Sequence, residues 1–222
     1  MQVSVAPDSA TAAAVAAAWV ARQLRNAVQR RGVAAIAVSG GRTPAAMFEA
    51  LAAMDVPWAR VTVFQVDERV APDGDPARNA ALLELLPVAR GRRRPMPVTA
   101  RDLRSATRRY AASLPARLDV VHLGLGDDGH TASWPPGDPV VDSAYSVALC
   151  GEYRGHVRMT LTPAAVNAAR HRLVLATGAD KADPVRRWLL GDHSLPVQRV
   201  HRTDTVLVLD QAAAARLPSP AR

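Results

Sequence analysis

The sequence is poor in several things, and each shortage closes off a reading. It has one cysteine, Cys150, so no disulfide can form within the chain. That fits a reducing compartment and a cytoplasmic location. Ala148-Leu149-Cys150-Gly151 reads as a strand end, a structural setting rather than that of a nucleophile. No stretch of about 18 apolar residues occurs, so no membrane-spanning helix is expected. The opening Met1-Gln2-Val3-Ser4-Val5 lacks the basic segment that starts a signal peptide. Four tryptophans, three tyrosines and two phenylalanines in 222 residues leave little material for stacking nucleic-acid bases. The six histidines show neither His-x-His nor His-Glu-x-x-His spacing, so no metal site and no metal cofactor are expected. There is no Walker loop, no Gly-x-Gly-x-x-Gly fingerprint in the Ser39–Pro44 loop, and no Gly-x-Ser-x-Gly elbow.

Lysine is the scarcest charge. The net charge is +8, yet Lys181 is the only lysine. The arginine clusters (30–31, 92–94, 108–109 and 186–187) are scattered along the chain, with no zinc-finger or RNA-recognition spacing. Nucleic acid is therefore not the expected partner, and a small anionic substrate would use the same positive field.

What is present is an alternation of helical and extended patterns. A helix capped by Asp8 or Ser9 runs to about Arg31. The further helical segments are 44–54, 76–86, 101–117, one from Pro163, 181–190, and a short alanine helix at the end. Strands are expected at 33–39, 61–66, 118–125, 145–149, 157–161, 171–177 and 206–209. No linker or repeat divides the chain. The pattern predicts one α/β domain over residues 1–222 with a mainly parallel sheet.

The chemistry gathers where strands end. The mostly apolar run Leu118–Leu125 stops in Gly124, Gly126 and Gly129, with Asp127, Asp128 and His130 between and after. Such a turn delivers polar groups to the carboxyl edge of a sheet, where open α/β folds bind ligands. Asp128 stands two residues from His130, so the carboxylate can hold one ring nitrogen while the other serves as base. An ordinary strand-to-helix turn that carries a histidine is the plain alternative. Ser39-Gly40-Gly41-Arg42-Thr43-Pro44 follows a strand and opens a helix, a setting for a phosphate, or simply a glycine turn with Pro44 in the first helical turn. Asp67-Glu68-Arg69 ends another strand: Arg69 suits an oxyanion, and Asp67 a base or its partner. Arg158, Thr160 and Thr162 share one face of a strand. Lys181 follows Gly178 at a helix start, where a compact ammonium replaces this chain's usual arginine.

Taken in order, Ser-Gly-Gly-x-Thr-Pro, Asp-Glu-Arg, Gly-x-Gly-x-Asp-Gly-His-Thr-Ala-Ser, Arg-x-Thr-Leu-Thr and Gly-x-x-Lys-Ala resemble the family of 6-phosphogluconolactonases and glucosamine-6-phosphate isomerases. The likeness spans about residues 8–215. It implies a three-layer Rossmann-like sandwich and hydrolysis of 6-phospho-D-glucono-1,5-lactone, without a cofactor, by a monomer or weak homodimer. It implies that His130 is the general base, oriented by Asp128, and that Arg69 and Asp67 lie in the same pocket. Phosphate would be held by Ser39, Gly40, Gly41, Arg42, Thr43, Arg158 and Lys181. Three departures from the family pattern stand out: Arg42 for a usual Ser, Arg78-Asn79 for Ser-Asn, and Trp134-Pro135-Pro136 for Leu-Phe-Pro. The related deaminases carry a Glu five residues after the histidine and tend to have Asp-Glu-Tyr. This chain has Pro135 and Asp67-Glu68-Arg69 there, which favours lactone hydrolysis.

Overall fold

The computed structural model describes residues 1–217, apart from the side chain of Arg42. In chain order its elements are β1 (Gln2–Ala6), α1 (Ser9–Arg31), β2 (Ala34–Val38), α2 (Arg42–Ala52), β3 (Val61–Gln65), β4 (Asp67–Arg69), β5 (Arg93–Arg94), α3 (Leu103–Ser113), β6 (Val120–Leu123), β7 (Val147–Tyr153), β8 (His156–Leu161), α4 (Pro163–Ala168), β9 (His171–Ala176), α5 (Ala182–Leu189) and β10 (Thr205–Asp210). Seven strands form one sheet in the order β1-β10-β9-β6-β2-β3-β5, and every pairing in it is parallel.

Local chemistry explains the first layer. Asp8 caps α1 by accepting from Thr11 N at 2.7 Å. Gly32 ends it in the left-handed region at φ 76°, returning its N–H to Val28 O. Ala12, Ala13, Ala16, Ala17, Val20, Ala21, Leu24 and Ala27 form the buried stripe, whose small residues let the helix lie close on the sheet. Alternation along the strands then divides the core. Ile36, Val38, Val61 and Val63 face α1 and α2. Ala37, Phe64, Val121 and Leu123 face the opposite layer with Tyr110 of α3 and Trp188 of α5.

The second layer differs from the expectation of a single sheet. Residues 145–149 and 157–161 do not join the parallel sheet. They become β7 and β8 of a separate antiparallel sheet whose third strand is β4. The Asp-Glu-Arg segment is therefore a strand, not a turn. Three smaller corrections follow from capping and pairing. The helix expected at 76–86 is only a 3-10 segment, Ala80–Leu85, because the Glu68 carboxylate takes the N–H groups of Asn79 and Ala80. The alanines after β10 form turns rather than a helix. β1 was missed because Gln2–Ala6 is a short edge strand with Val3 and Val5 exposed.

The topology builds a crevice. From β2 the chain steps outward to β3 and β5, then returns to β6 on the other side of β2. Loops leaving adjacent β2 and β6 diverge, and the carboxyl edge opens between them. At the opposite edge Asp119 accepts from Ala35 N at 2.8 Å and pairs with Arg31 at 2.5 Å, tying β2 to the start of β6.

His122 of β6 is a core residue, as its place in an apolar strand predicts. It is fully buried, meets the Phe48 ring edge-on at 5.9 Å, and neither ring nitrogen has a partner among the described residues. Burial lowers its pKa to about 3. The unfolded chain takes up this proton below roughly pH 6.5, whereas the folded chain resists it until about pH 3. Stability must then fall as pH drops through that window, by up to ~1.4 kcal/mol per pH unit. Urea denaturation at about pH 7 and pH 4.5 should show a smaller loss for His122→Leu than for the wild type. Equal losses would place the acid sensitivity elsewhere.

Candidate active site

A cavity of about 300 Å³ opens at the carboxyl edge of the parallel sheet. Its lining brings together Ser39, Gly40, Gly41, Thr43, Asp67, Arg69, His130, Arg158 and Lys181, segments far apart in sequence. The expected contact from Arg42 lies outside the described residues. Asp128 does not line the cavity but touches His130 from behind.

The first wall is the β2–α2 turn. Gly41 has φ 124° and precedes the first turn of α2, whose N–H groups are not capped by a side chain. Ser39 Oγ is buried without a partner among the described residues. Gly40 is required by close approach: a Cβ there would lie 2.0 Å from Asn79 Oδ1. Thr43 and Thr177 share a hydroxyl contact at 3.1 Å across the cavity floor.

The second wall is β4 against β8. Asp67 pairs with Thr160 and Arg69 with Arg158 in antiparallel register, and directly opposite residues share a face. The period of two thus turns Asp67, Arg69, Arg158 and Thr160 to one side, while Thr162 falls beyond the strand and bonds Tyr145 O. Arg69 is held by Ala77 O at 2.6 Å and Asn79 Oδ1 at 3.0 Å. Arg158 reaches Tyr153 O at 3.3 Å. The Nε groups of Arg69 and Arg158 are buried without partners among the described residues. Burial, and the neighbouring Arg69 charge, lower the Arg158 pKa. An anion between these guanidinium groups would relieve both penalties. Burial pushes the Asp67 carboxyl above its ordinary value, opposed by the Ser133 hydroxyl at 2.7 Å and by Arg69 and Arg158. The partner of Asp67 is therefore Ser133, and the partner of His130 is Asp128.

The third wall is the loop after β6. Asp128 Oδ1 lies 2.5 Å from His130 Nδ1, which leaves Nε2 as the ring nitrogen with no protein hydrogen bond among the described residues. Asp128 Oδ2 accepts the Tyr153 hydroxyl at 2.5 Å. Burial alone would raise the Asp128 carboxyl, but the bonds from His130 and Tyr153 hold it well below the carboxylate range. The loop closes on itself through Gly126 N to His130 O at 2.7 Å and Gly129 N to Gly126 O at 3.1 Å. Asp127, Asp128 and His130 bring one oxygen or nitrogen each within 4.8 Å of one another, a cluster that His-spacing rules miss. Each has a partner: Asp127 pairs with Arg154 at 2.6 Å, and Asp128 with His130 and Tyr153.

The chain matches, over residues 7–209, the model of the family described as glucosamine-6-phosphate isomerases/6-phosphogluconolactonase. It belongs to that family. The 6-phosphogluconolactonase of Mesorhizobium japonicum is 37% identical, covering 79% of this chain and 79% of that protein. That of Streptomyces coelicolor is 33% identical, covering 98% and 95%. Among solved structures, a 6-phosphogluconolactonase from Shewanella baltica superposes with a TM-score of 0.85 at 26% identity, covering 95% of this chain and 97% of that one. A monomeric glucosamine-6-phosphate deaminase gives a TM-score of 0.84 at 20% identity, which shows the shared fold alone.

In this family member two supports of the site had no role assigned from the sequence. Asn79, marked there only as part of Arg78-Asn79, links β4 to the β2 turn, and Tyr153 backs Asp128. Tyr153 carries no local signal, since it reaches the site only through the second sheet. Lys181, expected at a helix start, is the last residue of the 3-10 turn Ala179–Lys181 and pairs with Asp180 at 2.7 Å at the cavity rim.

Gly126 gives a direct check on the His130–Asp128 geometry. A Cβ there would stand 1.9 Å from His130 Nδ1 and 2.8 Å from Asp128 Oδ1. Gly126→Ala should expel the ring from its carboxylate and destabilise the protein by about 1–3 kcal/mol. Loss of the Nδ1 hydrogen-bond signature in ¹⁵N NMR of the histidines would report it. An unchanged signature would contradict the close approach.

Proposed function

We propose that this chain hydrolyses 6-phospho-D-glucono-1,5-lactone to 6-phospho-D-gluconate, with His130 as general base. The observation that carries the reading is a histidine whose Nδ1 is committed to a carboxylate, beside two guanidinium groups whose buried Nε atoms have no partner among the described residues. The first feature is proton-transfer machinery and the second is an anion site. Near relatives that bear the name 6-phosphogluconolactonase support the choice of substrate. Pro135 stands where the resemblance puts the extra carboxylate of the deaminases, and it can relay no proton.

In the proposed mechanism the phosphate docks against Ser39, Gly40, Gly41, Thr43, Arg158 and Lys181 and fixes the ring. His130 Nε2 takes a proton from water as its oxygen bonds to C1 of the lactone. Arg69 and nearby backbone N–H groups stabilise the tetrahedral oxyanion. The C1 bond to the ring oxygen then breaks, and the imidazolium returns its proton to that oxygen. Binding energy from the remote phosphate positions a small substrate. The one-domain reading of residues 1–222 belongs to this proposal, since the pocket draws on residues 39 to 181. So do a cytoplasmic setting, a monomer or weak homodimer, and no dependence on nucleic acid, cofactor or metal. No helix among the described residues is long and apolar enough to cross a membrane.

The deciding assay is acid release from freshly made 6-phosphogluconolactone above the spontaneous rate. Activity should persist in chelator, because the oxygen and nitrogen groups near His130 are already paired. His130→Gln should lower kcat by roughly 10²–10⁴-fold. Turnover of an amino sugar phosphate instead of the lactone, or near-normal rates in His130→Gln, would overturn the proposal.

Lys181 tests the phosphate site. Lys181→Arg preserves charge but replaces a compact ammonium with a planar fork. KM for the phosphorylated lactone should rise several-fold, on the order of 5–20. Hydrolysis of unphosphorylated gluconolactone, if measurable, should be unchanged. A wild-type KM would show that Lys181 serves only its pair with Asp180.

A further inference from the structure

The tip of the β7–β8 hairpin reaches across to the β6 loop and touches the histidine from behind. Tyr153, the last residue of β7, gives its hydroxyl to Asp128 Oδ2 at 2.5 Å and lies 3.2 Å from His130 Nδ1. Its ring meets the His130 ring edge-on, with centroids 5.3 Å apart. The guanidinium groups of Arg154 and Arg158 lie 5.2 Å and 5.1 Å from the same ring centroid. Tyr153 itself does not line the cavity. One side chain thus joins the proton-transfer pair to an arginine of the anion site, without facing substrate.

We infer that Tyr153 is a positioning residue, whose hydroxyl holds the Asp128 carboxylate on Nδ1 of His130 and so fixes which imidazole nitrogen serves as base. The role rests on the hydrolytic reading above. A carboxylate has two oxygens and must place both. Asp128 Oδ1 already serves His130 twice, at Nδ1 (2.5 Å) and at the backbone N (3.1 Å). Oδ2 has Tyr153 as its only hydrogen-bond donor among the described residues. Without that donor Asp128, only partly buried, would be free to rotate toward water, and the ring would lose the acceptor that keeps its proton on Nδ1. The hydroxyl stays protonated for this task, since burial and the Asp128 carboxylate push its pKa up to about 12.

The sign of the pH effect follows from the charges around His130. Asp127 and Asp128 stand on its own loop. Tyr153, Arg154 and Arg158 come from the hairpin, Asp67 and Arg69 from β4, and Asp180 and Lys181 from the rim across the cavity. Of these, Asp128 is the anion in contact with the ring. Once the Tyr153 bond is gone and Asp128 turns toward water, the imidazolium loses part of the anion that stabilises it. The base should then give up its proton at lower pH.

Tyr153→Phe keeps the ring and deletes only the hydroxyl. Its kcat should fall about 5–10-fold with KM within about twofold, and the acid limb of kcat/KM should move down by about half a pH unit. Tyr153→Ala also removes the face beneath the two guanidinium groups, so KM should rise as well. ¹⁵N NMR, with the His130 signals assigned by difference from His130→Gln, needs no turnover. The wild type should show a protonated Nδ1 and a bare Nε2, and Tyr153→Phe should show both tautomers in exchange. A Tyr153→Phe protein with the wild-type tautomer and an unmoved acid limb would overturn the inference, even if its thermal midpoint fell. Failure of the wild type to open the lactone would remove the hydrolytic reading, while the tautomer measurement would still decide the role of Tyr153.

Discussion

The site depends on one buried carboxylate that takes no part in the chemistry. Glu68 is fully buried between Asp67 and Arg69, where an unpaired charge would be costly. It is satisfied by Gln65 Nε2 at 2.9 Å and by the backbone N–H groups of Arg69, Asn79 and Ala80 at 2.7–2.9 Å. Arg78 Nε adds a charge contact at 3.0 Å, though not an aligned hydrogen bond. These bonds fold the 70–80 segment back over β4 and fix Asn79. Asn79 in turn holds Arg69 and packs where a side chain on Gly40 would have to go. Arg78, a departure from the family pattern, therefore serves the frame rather than the pocket.

The parallel sheet and the positions of the strand ends were legible because they follow from short-range rules. Apolar runs bounded by glycine, and a helix capped by Asp8, need no knowledge of what lies across the sheet. The segments that reached the cavity were legible for the same reason. The second sheet was not. Residues 147–153 and 156–161 carry a strand pattern that says nothing of which sheet they join. Only the partnership with Asp67–Arg69 shows it. Asp67 was open between base and partner for that reason: its hydrogen bond from Ser133 spans 66 residues, and its pairing with Thr160 on β8 spans roughly ninety.

Chain composition also reads differently once the cavity is known. Most arginines lie on the surface, as a scattered distribution suggests. Arg69 and Arg158 are different: of the five arginines whose buried Nε has no hydrogen-bond partner among the described residues, these two line the cavity. The molecule thus holds positive charge in a water-poor place, where it is worth more to an incoming anion than the same charge on a helix face. Cys150, in contrast, is inert: it is buried inside β7, and burial pushes its thiol up to about 11.

The outermost strand has a consequence for how the molecule is made. Residues 2–6 lie in parallel register with residues 206–210, about two hundred positions later. On a ribosome the first segment must therefore wait for nearly the whole chain to emerge before its hydrogen bonds can form. During that interval its exposed Val3 and Val5 sit beside polar Gln2 and Ser4, a short stretch poorly suited to pairing with itself. When β10 finally enters the sheet, docking of β1 covers its free edge. The open edge thereby passes from β10 to β1, the shorter strand of the two.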